Sequence, residues 1–276
     1  MRTTQGSQQT LSLPPFTPAV TWLIAINSAF YFALLLLGMS APGSAIALDR
    51  ALALVPSAVI MHGHVWQIIT YSVLHGSFIH WFFNMLALWM FGTQIESVRG
   101  PRYFLELFLA GVIGGALFSI ALPYAGLGDP NVGTIGASAG IYAVLMAFGI
   151  FFAESEIMMI PLPLLIKAKY FIAILIVIEL VMSLQEHDGV AHIAHLGGLA
   201  FGYLFVKFVP RRGFGFEMSE GYFAFRNFFY KMKRQRASKK FQVYMRKQGQ
   251  NPQDFHDDSK FPPPDDKKDD RGGWVN

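Results

Sequence analysis

No cysteine occurs in the 276 residues, which excludes disulfides and thiolate metal sites and leaves the redox compartment open. Charge is scarce as well: 14% of residues are charged, against 53% hydrophobic and 15% aromatic, a balance that soluble domains of this size do not show. The chain reads as a membrane protein. It has no His-Glu-x-x-His motif of the zinc-protease kind and no internal repeat of the kind that builds carriers.

The charges that are present are unevenly placed. Residues 1–209 carry 7 basic and 9 acidic side chains and residues 210–276 carry 15 and 9, so the formal charges are −2 and +6. Within the tail, residues 210–250 hold 11 basic against 2 acidic groups and residues 251–276 hold 4 against 7. The tail therefore splits into a basic and an acidic half.

Crossing a hydrocarbon core takes roughly 20 apolar residues. Six runs qualify, at about 18–38, 77–95, 103–124, 137–153, 160–184 and 191–209. The first is longer than the apolar core of a usual signal peptide, so it reads as a retained span. Arg99 and Arg102 lie between the second and third runs, Lys167 and Lys169 are assigned to the connection between the fourth and fifth, and Lys207, Arg211 and Arg212 are assigned to the end of the sixth. By the positive-inside rule these places share the cytoplasmic face, and both termini lie inside. Runs 2, 4 and 6 then all start at the outer face, where their polar residues can meet.

Those starts read HGSFIHWFFN (75–84), GASAGIY (136–142) and HIAHLGGLAFG (192–202). Ser138 and His195 are 57 residues apart across a there-and-back pair of spans, at matched depth. A serine hydroxyl needs a base to become a nucleophile, and histidine is the usual one. His80 and Asn84, four apart, present donors from one helix face, and the Ser138 N–H at a helix start adds another. Together they suit an oxyanion. Tyr142 shares a face with Ser138 and can hold an imidazole. Gly136 and Gly140 flank the serine, Gly198 and Gly202 make a Gly-xxx-Gly step after His195, and Gly111 and Gly115 make another, read as packing alone.

Each feature has a plainer account. A Gly-x-Ser pattern is ordinary helix packing, and a buried histidine can simply bond a neighbouring helix. Four histidines, His75, His80, His192 and His195, make a metal site or a proton relay the serious rival. Glu179, inside the fifth run, suggests proton coupling and is assigned no partner. Glu96 and Glu106 are read as snorkelling or pairing with Arg99 or Arg102, and Asn27 as bonding a neighbouring helix.

The motifs VWQIITYSVLHGSFIHWFFN, IESVRG, GASAGIY and AHLGGLAFG, in that order, resemble the rhomboid family of intramembrane serine proteases over about residues 18–209. The resemblance implies an all-α membrane protein with a six-helix rhomboid-like bundle and cytoplasmic termini. It divides the chain into a short cytoplasmic segment (1–17), the six-span protease domain (18–209) and a cytoplasmic tail (210–276). It implies Ser138 as nucleophile, His195 as general base and acid, His80 and Asn84 as oxyanion donors, and Tyr142 as support for the His195 ring. Glu96 and Gly100 match the family's turn after the second span. The family works with a dyad, in keeping with no carboxylate being expected beside His195. No metal or cofactor is expected. Two positions depart from the family pattern: Ala139 stands where glycine is usual, and Trp66-Gln67 where the pair is Trp-Arg.

The expected activity is hydrolysis of peptide bonds in or near transmembrane segments of membrane-protein substrates, in a cavity open to the outer side because the bilayer core holds no water. The Gly-rich loop 123–137 is expected to be pliable and residues 185–190 to cap the cavity. In the tail, residues 220–247 interleave aromatics with Lys and Arg, as a helix on anionic lipid does; a nucleic-acid partner is not expected. Residues 261–273 read as disordered. Compactness and the lack of a recognisable targeting segment point to a bacterial plasma membrane. The alternative reading is a non-proteolytic rhomboid-like adaptor or a proton-coupled carrier.

Overall fold

The computed structural model describes residues 14–159, 164–183 and 189–209. The readings of residues 1–13, of the tail from 210 onward and of residues 184–188 in the expected cap lie outside this range. The described chain is mostly helical. Its helices are α1 (Pro18–Ser40), α2 (Pro42–Leu52), α3 (Pro56–His62), α4 (Gln67–Thr70), α5 (Phe78–Ala87), α6 (Thr93–Arg99), α7 (Pro101–Tyr124), α8 (Ser138–Phe151), α9 (Ala168–Ser183) and α10 (Gly189–Phe208). Two of them, α1 and α7, are long and apolar enough to cross a membrane by length and composition.

Local chemistry explains the boundaries. Proline stands at the first turn of α1, α2, α3 and α7, where its missing N–H costs no hydrogen bond. Ser77 caps α5 by accepting the His80 N–H at 3.2 Å. α5 runs through a π-helical turn, Leu88–Gly92, into α6, so one helical rod reaches Arg99, beyond the expected 95. It stops at Gly100, whose φ of +86° suits glycine, and Pro101 opens α7 at once.

The all-α expectation is corrected in one place. Two segments form an antiparallel pair, β1 (Glu156–Met159) with β2 (Leu164–Lys167), in the register Glu156 to Lys167 and Met159 to Leu164. In the described part of the fifth apolar run the helix therefore begins at Ala168, after β2 and eight residues past the expected start. Pro161 and Pro163 fall in this run, and neither has an N–H to give to a helix interior. Beside the pair, Lys167 and Lys169 both clasp Glu154, the first at 2.7 Å. Their hydrogen bonds hold the exposed Glu154 carboxyl down at about 2, against an ordinary 4.5. The clasp is thus complete above pH 4.5 and is lost as pH falls towards 2, and salt screens it throughout.

Two polar residues, Glu96 and Asn27, find partners other than those expected, and a third, Gln67, for which none was expected, is fully paired. Glu96 is buried and caps the start of α1: its carboxylate accepts the Ala19 and Val20 N–H groups at 2.9 Å each and the Thr17 hydroxyl at 2.6 Å. A carboxylate at a helix N-terminus meets both orphan donors and the positive end of the dipole. Glu96→Gln, which keeps the shape but weakens acceptance, is expected to cost about 1–2 kcal/mol in thermal unfolding in detergent. Asn27 bonds within its own helix, giving its amide to the Leu23 carbonyl at 2.8 Å. Gln67 is fully buried and anchors the segment before α5: it accepts the Val55 N–H at 3.1 Å and its amide lies 3.3 Å from the Ala51 carbonyl, to which the Trp66 indole also donates. Glutamine thus supplies polar anchoring where the family pattern has arginine.

The core gathers where α7, α8 and α10 cross. A Cβ on Gly198 would lie 2.2 Å from the Ala139 carbonyl oxygen, and one on Gly202 2.6 Å from the Ala143 Cα. Gly111 and Gly115 of α7 meet α8 as closely, at Ala143 and Ala139. Small faces therefore bring three backbones into contact, the packing available to helices whose surroundings are as apolar as their own side chains.

Candidate active site

The N-terminal ends of α5, α8 and α10 come together in the fold. Ser138 is the first residue of α8, where its own N–H has no acceptor in the helix. The residues before it are tethered: Thr134 and Leu54 exchange both backbone hydrogen bonds, Ser57 donates to the Pro130 carbonyl, and Gly136 donates to the Tyr71 carbonyl at 2.9 Å. The buried Tyr71 in turn gives its hydroxyl to the Val112 carbonyl of α7 at 2.7 Å. Residues 123–137, expected to be pliable, are thus tied down over their second half. Tyr71 was not among the expected site residues, because its role is to hold backbone.

Ser138 Oγ lies 2.8 Å from His195 Nε2. Gly198, one turn after His195, is one of two glycines at which α10 touches α8, the other being Gly202, so the Gly-xxx-Gly step sets the separation of the two side chains. The Tyr142 ring stacks on the His195 ring, centroids 4.3 Å apart at 13°, as its position one turn after Ser138 suggests. Gly136 has a φ of +125°, open to glycine and strained for other residues. A Cβ there would stand 2.8 Å from His80 Nε2 and 3.5 Å from Ser138 Oγ. The absent side chain thus leaves a gap with the His80 imidazole on one side and the serine hydroxyl on the other. Asn84 is buried one turn beyond His80, and its amide nitrogen has no hydrogen-bond partner among the described residues. The Ala139 methyl packs on Gly115 of α7, so the departure from glycine is absorbed there.

The expectation that no carboxylate stands beside His195 is corrected. Glu179 of α9 is buried, with its Oε2 3.0 Å from His195 Nδ1 and 2.6 Å from His192 Nδ1. The Tyr142 hydroxyl donates to its other oxygen. Glu179 precedes His195 by 16 residues, with α9 and α10 on either side of the interval, so residue count places both at one depth; that signal was present in the sequence. The rotation of α9 that aims the carboxylate at the imidazole was not.

Of the four histidines, His75 and His80 pair at 5.1 Å between rings and His192 and His195 at 5.9 Å. Glu179, His192 and His195 each present a ligating atom within 4.8 Å of the others. Their separations of 2.6 and 3.0 Å are those of hydrogen bonds. Two ligands on one tetrahedral zinc, each at about 2.0–2.1 Å, stand about 3.3 Å apart.

A family model described as the Rhomboid domain matches residues 62–212, a range that contains His80, Asn84, Gly136, Ser138, Tyr142, Glu179, His192 and His195. The chain is 28% identical over 147 residues to Rhomboid protein 1, mitochondrial, of Saccharomyces cerevisiae, covering 52% of this chain and 42% of that one. To the Putative rhomboid protease YdcA of Bacillus subtilis it is 27% identical over 190 residues, 68% of this chain and 86% of the relative. To the Inactive rhomboid-related protein 2 of Caenorhabditis elegans it is 30% identical over 153 residues, 54% and 41%. The chain therefore spans less than half the length of the yeast and nematode relatives. With more than half of its residues under the family model and the helix starts of α5, α8 and α10 gathered as described, the chain belongs to the rhomboid family of integral membrane proteins.

Proposed function

We propose that this protein is an intramembrane serine endopeptidase with six membrane spans, cleaving membrane-protein substrates near the outer face of the bilayer. The observation that carries the reading is the 2.8 Å contact between Ser138 Oγ and His195 Nε2 at the first turn of α8. Relatives named as mitochondrial stand beside bacterial ones, so the likeness carries no particular membrane. One relative is named as inactive; this chain retains both a serine and a histidine in bonding contact.

In the first half-reaction His195 Nε2 takes the Ser138 proton as Oγ bonds to the carbonyl carbon of the scissile peptide. The resulting oxyanion is met by the Ser138 N–H, His80 and Asn84. The carbon–nitrogen bond breaks as His195 returns its proton to the leaving amine, which leaves an acyl ester on Ser138. Water then adds with His195 again as base, and a carboxylic acid is released. A cavity of about 420 Å³ bordered by His75, Gly76 and Ile135 lies next to Gly136, lined further by Tyr31, Asp49 and Arg50. It offers an approach for an extended peptide and for water.

A fluorophosphonate probe tests the reading. Labelling of the purified protein at Ser138, absent in His195→Ala, is the expected result; labelling that persists in Ser138→Ala, or none in the wild type, sinks it. His80→Ala and Asn84→Ala are each expected to lower kcat by about 10²–10³-fold with KM little changed, as loss of an oxyanion donor does. Gly136→Ala is expected to match them by filling the gap between His80 and Ser138.

A further inference from the structure

Glu179 lies apart from the serine–histidine pair in sequence and has no role in the mechanism above, yet it is buried and collects three hydrogen bonds. An ionisable group inside a membrane helix is costly unless its partners compensate. Here the Tyr142 hydroxyl meets one carboxylate oxygen, and His192 Nδ1 and His195 Nδ1 meet the other. A carboxylate accepts and does not donate, so its neighbours must each bring a proton. An imidazole that donates from Nδ1 has its lone pair on Nε2, and the Nε2 of His195 is the atom that faces Ser138 Oγ.

We propose that Glu179 is a positioning residue for this site, which thereby works as a Ser138–His195–Glu179 triad. It holds the proton on His195 Nδ1, keeps Nε2 free to accept the serine proton, and offsets the positive charge of the imidazolium formed in the transition state. The proton that leaves Ser138 goes to Nε2 and from there to the leaving amine; Glu179 itself stays ionised throughout. Tyr142 links the two functions, because its ring stacks on the imidazole while its hydroxyl fixes the carboxylate. His192 bonds the same carboxylate oxygen as His195. This inference rests on the protease reading for its kinetic consequence but not for its geometry.

The test combines nuclear magnetic resonance on histidine-labelled protein in micelles with kinetics on Glu179→Gln. In the wild type, His195 is expected to carry its proton on Nδ1, with a downfield proton resonance that disappears in Glu179→Gln. Glutamine can turn its amide nitrogen towards Nδ1 and favour the opposite tautomer, so kcat is expected to fall between about 10²- and 10⁴-fold with KM unchanged. Glu179→Asp is expected to restore part of kcat. A carboxylate that merely packed α9 against α10 would change the thermal midpoint and leave kcat per folded molecule alone. A wild-type His195 protonated on Nε2, or a kcat loss in folded Glu179→Gln below about threefold, overturns the proposal. If the wild type neither cleaves nor labels, the protease reading falls, and the tautomer of His195 still decides the role of Glu179.

Discussion

Alanine at Ser138 is expected to lower turnover of a membrane substrate by about 10⁴-fold or more, alanine at His195 to do the same, and the double variant to be no worse than either single one. The reason is that in the proposed mechanism the two side chains act as a unit. Without the hydroxyl, His195 has no proton to take and no acyl ester forms; without the imidazole, the serine is an alcohol whose proton has nowhere to go. Either loss removes the same transition state, so the second adds nothing. The measurement is single-turnover cleavage of a model transmembrane substrate by the purified variants. Additive losses would mean that the two groups work separately, and equal turnover in all four proteins would leave an adaptor as the better reading.

The second large effect is on stability. Gly198→Ala places a methyl carbon 2.2 Å from the Ala139 carbonyl oxygen, and the atom it meets is backbone, which cannot swing aside as a side-chain tip can. α10 must move off α8, at a cost of about 3 kcal/mol, the upper end for overpacking a tight contact. For a protein of this size that is a fall of about 6–12 °C in thermal midpoint, read in detergent or lipid. The movement also draws His195 from Ser138, because His195 and Gly198 share one turn of α10. Activity is therefore expected to fall in the fraction that stays folded. Alanine at Gly43, where an added Cβ meets nothing within 4 Å, should leave both quantities as they are.

These two predictions differ in how far they could be foreseen. The positions of the long helices follow from summed hydropathy: the six apolar runs coincide with α1, α5 through α6, α7, α8, α9 and α10, to within a few residues except at the start of α9. That exception arises because hydropathy counts apolar side chains and ignores backbone donors, which Pro161 and Pro163 lack. The helices between α1 and α5 were not foreseen, since short amphipathic segments leave no long apolar run. Asn27 and Glu96 were assigned the wrong partners for a related reason: a polar side chain on a helix can bond its own carbonyls or another helix's end, and spacing does not choose between them.

Residue counting along the chain fixes depth, since each helical residue advances by about 1.5 Å, and depth was enough to group Ser138, His195, His80 and Asn84 near one face; the family resemblance came from the four motifs and their order. It does not fix rotation about a helix axis. The aim of Glu179 at His195, the tie from Tyr71 to Gly136, the seat of the Ala139 methyl on Gly115 and the anchoring by Gln67 all depend on which face each helix turns to its neighbours. That choice is made by close packing of small residues among α7, α8 and α10, where a shift of one methyl group decides which backbones touch.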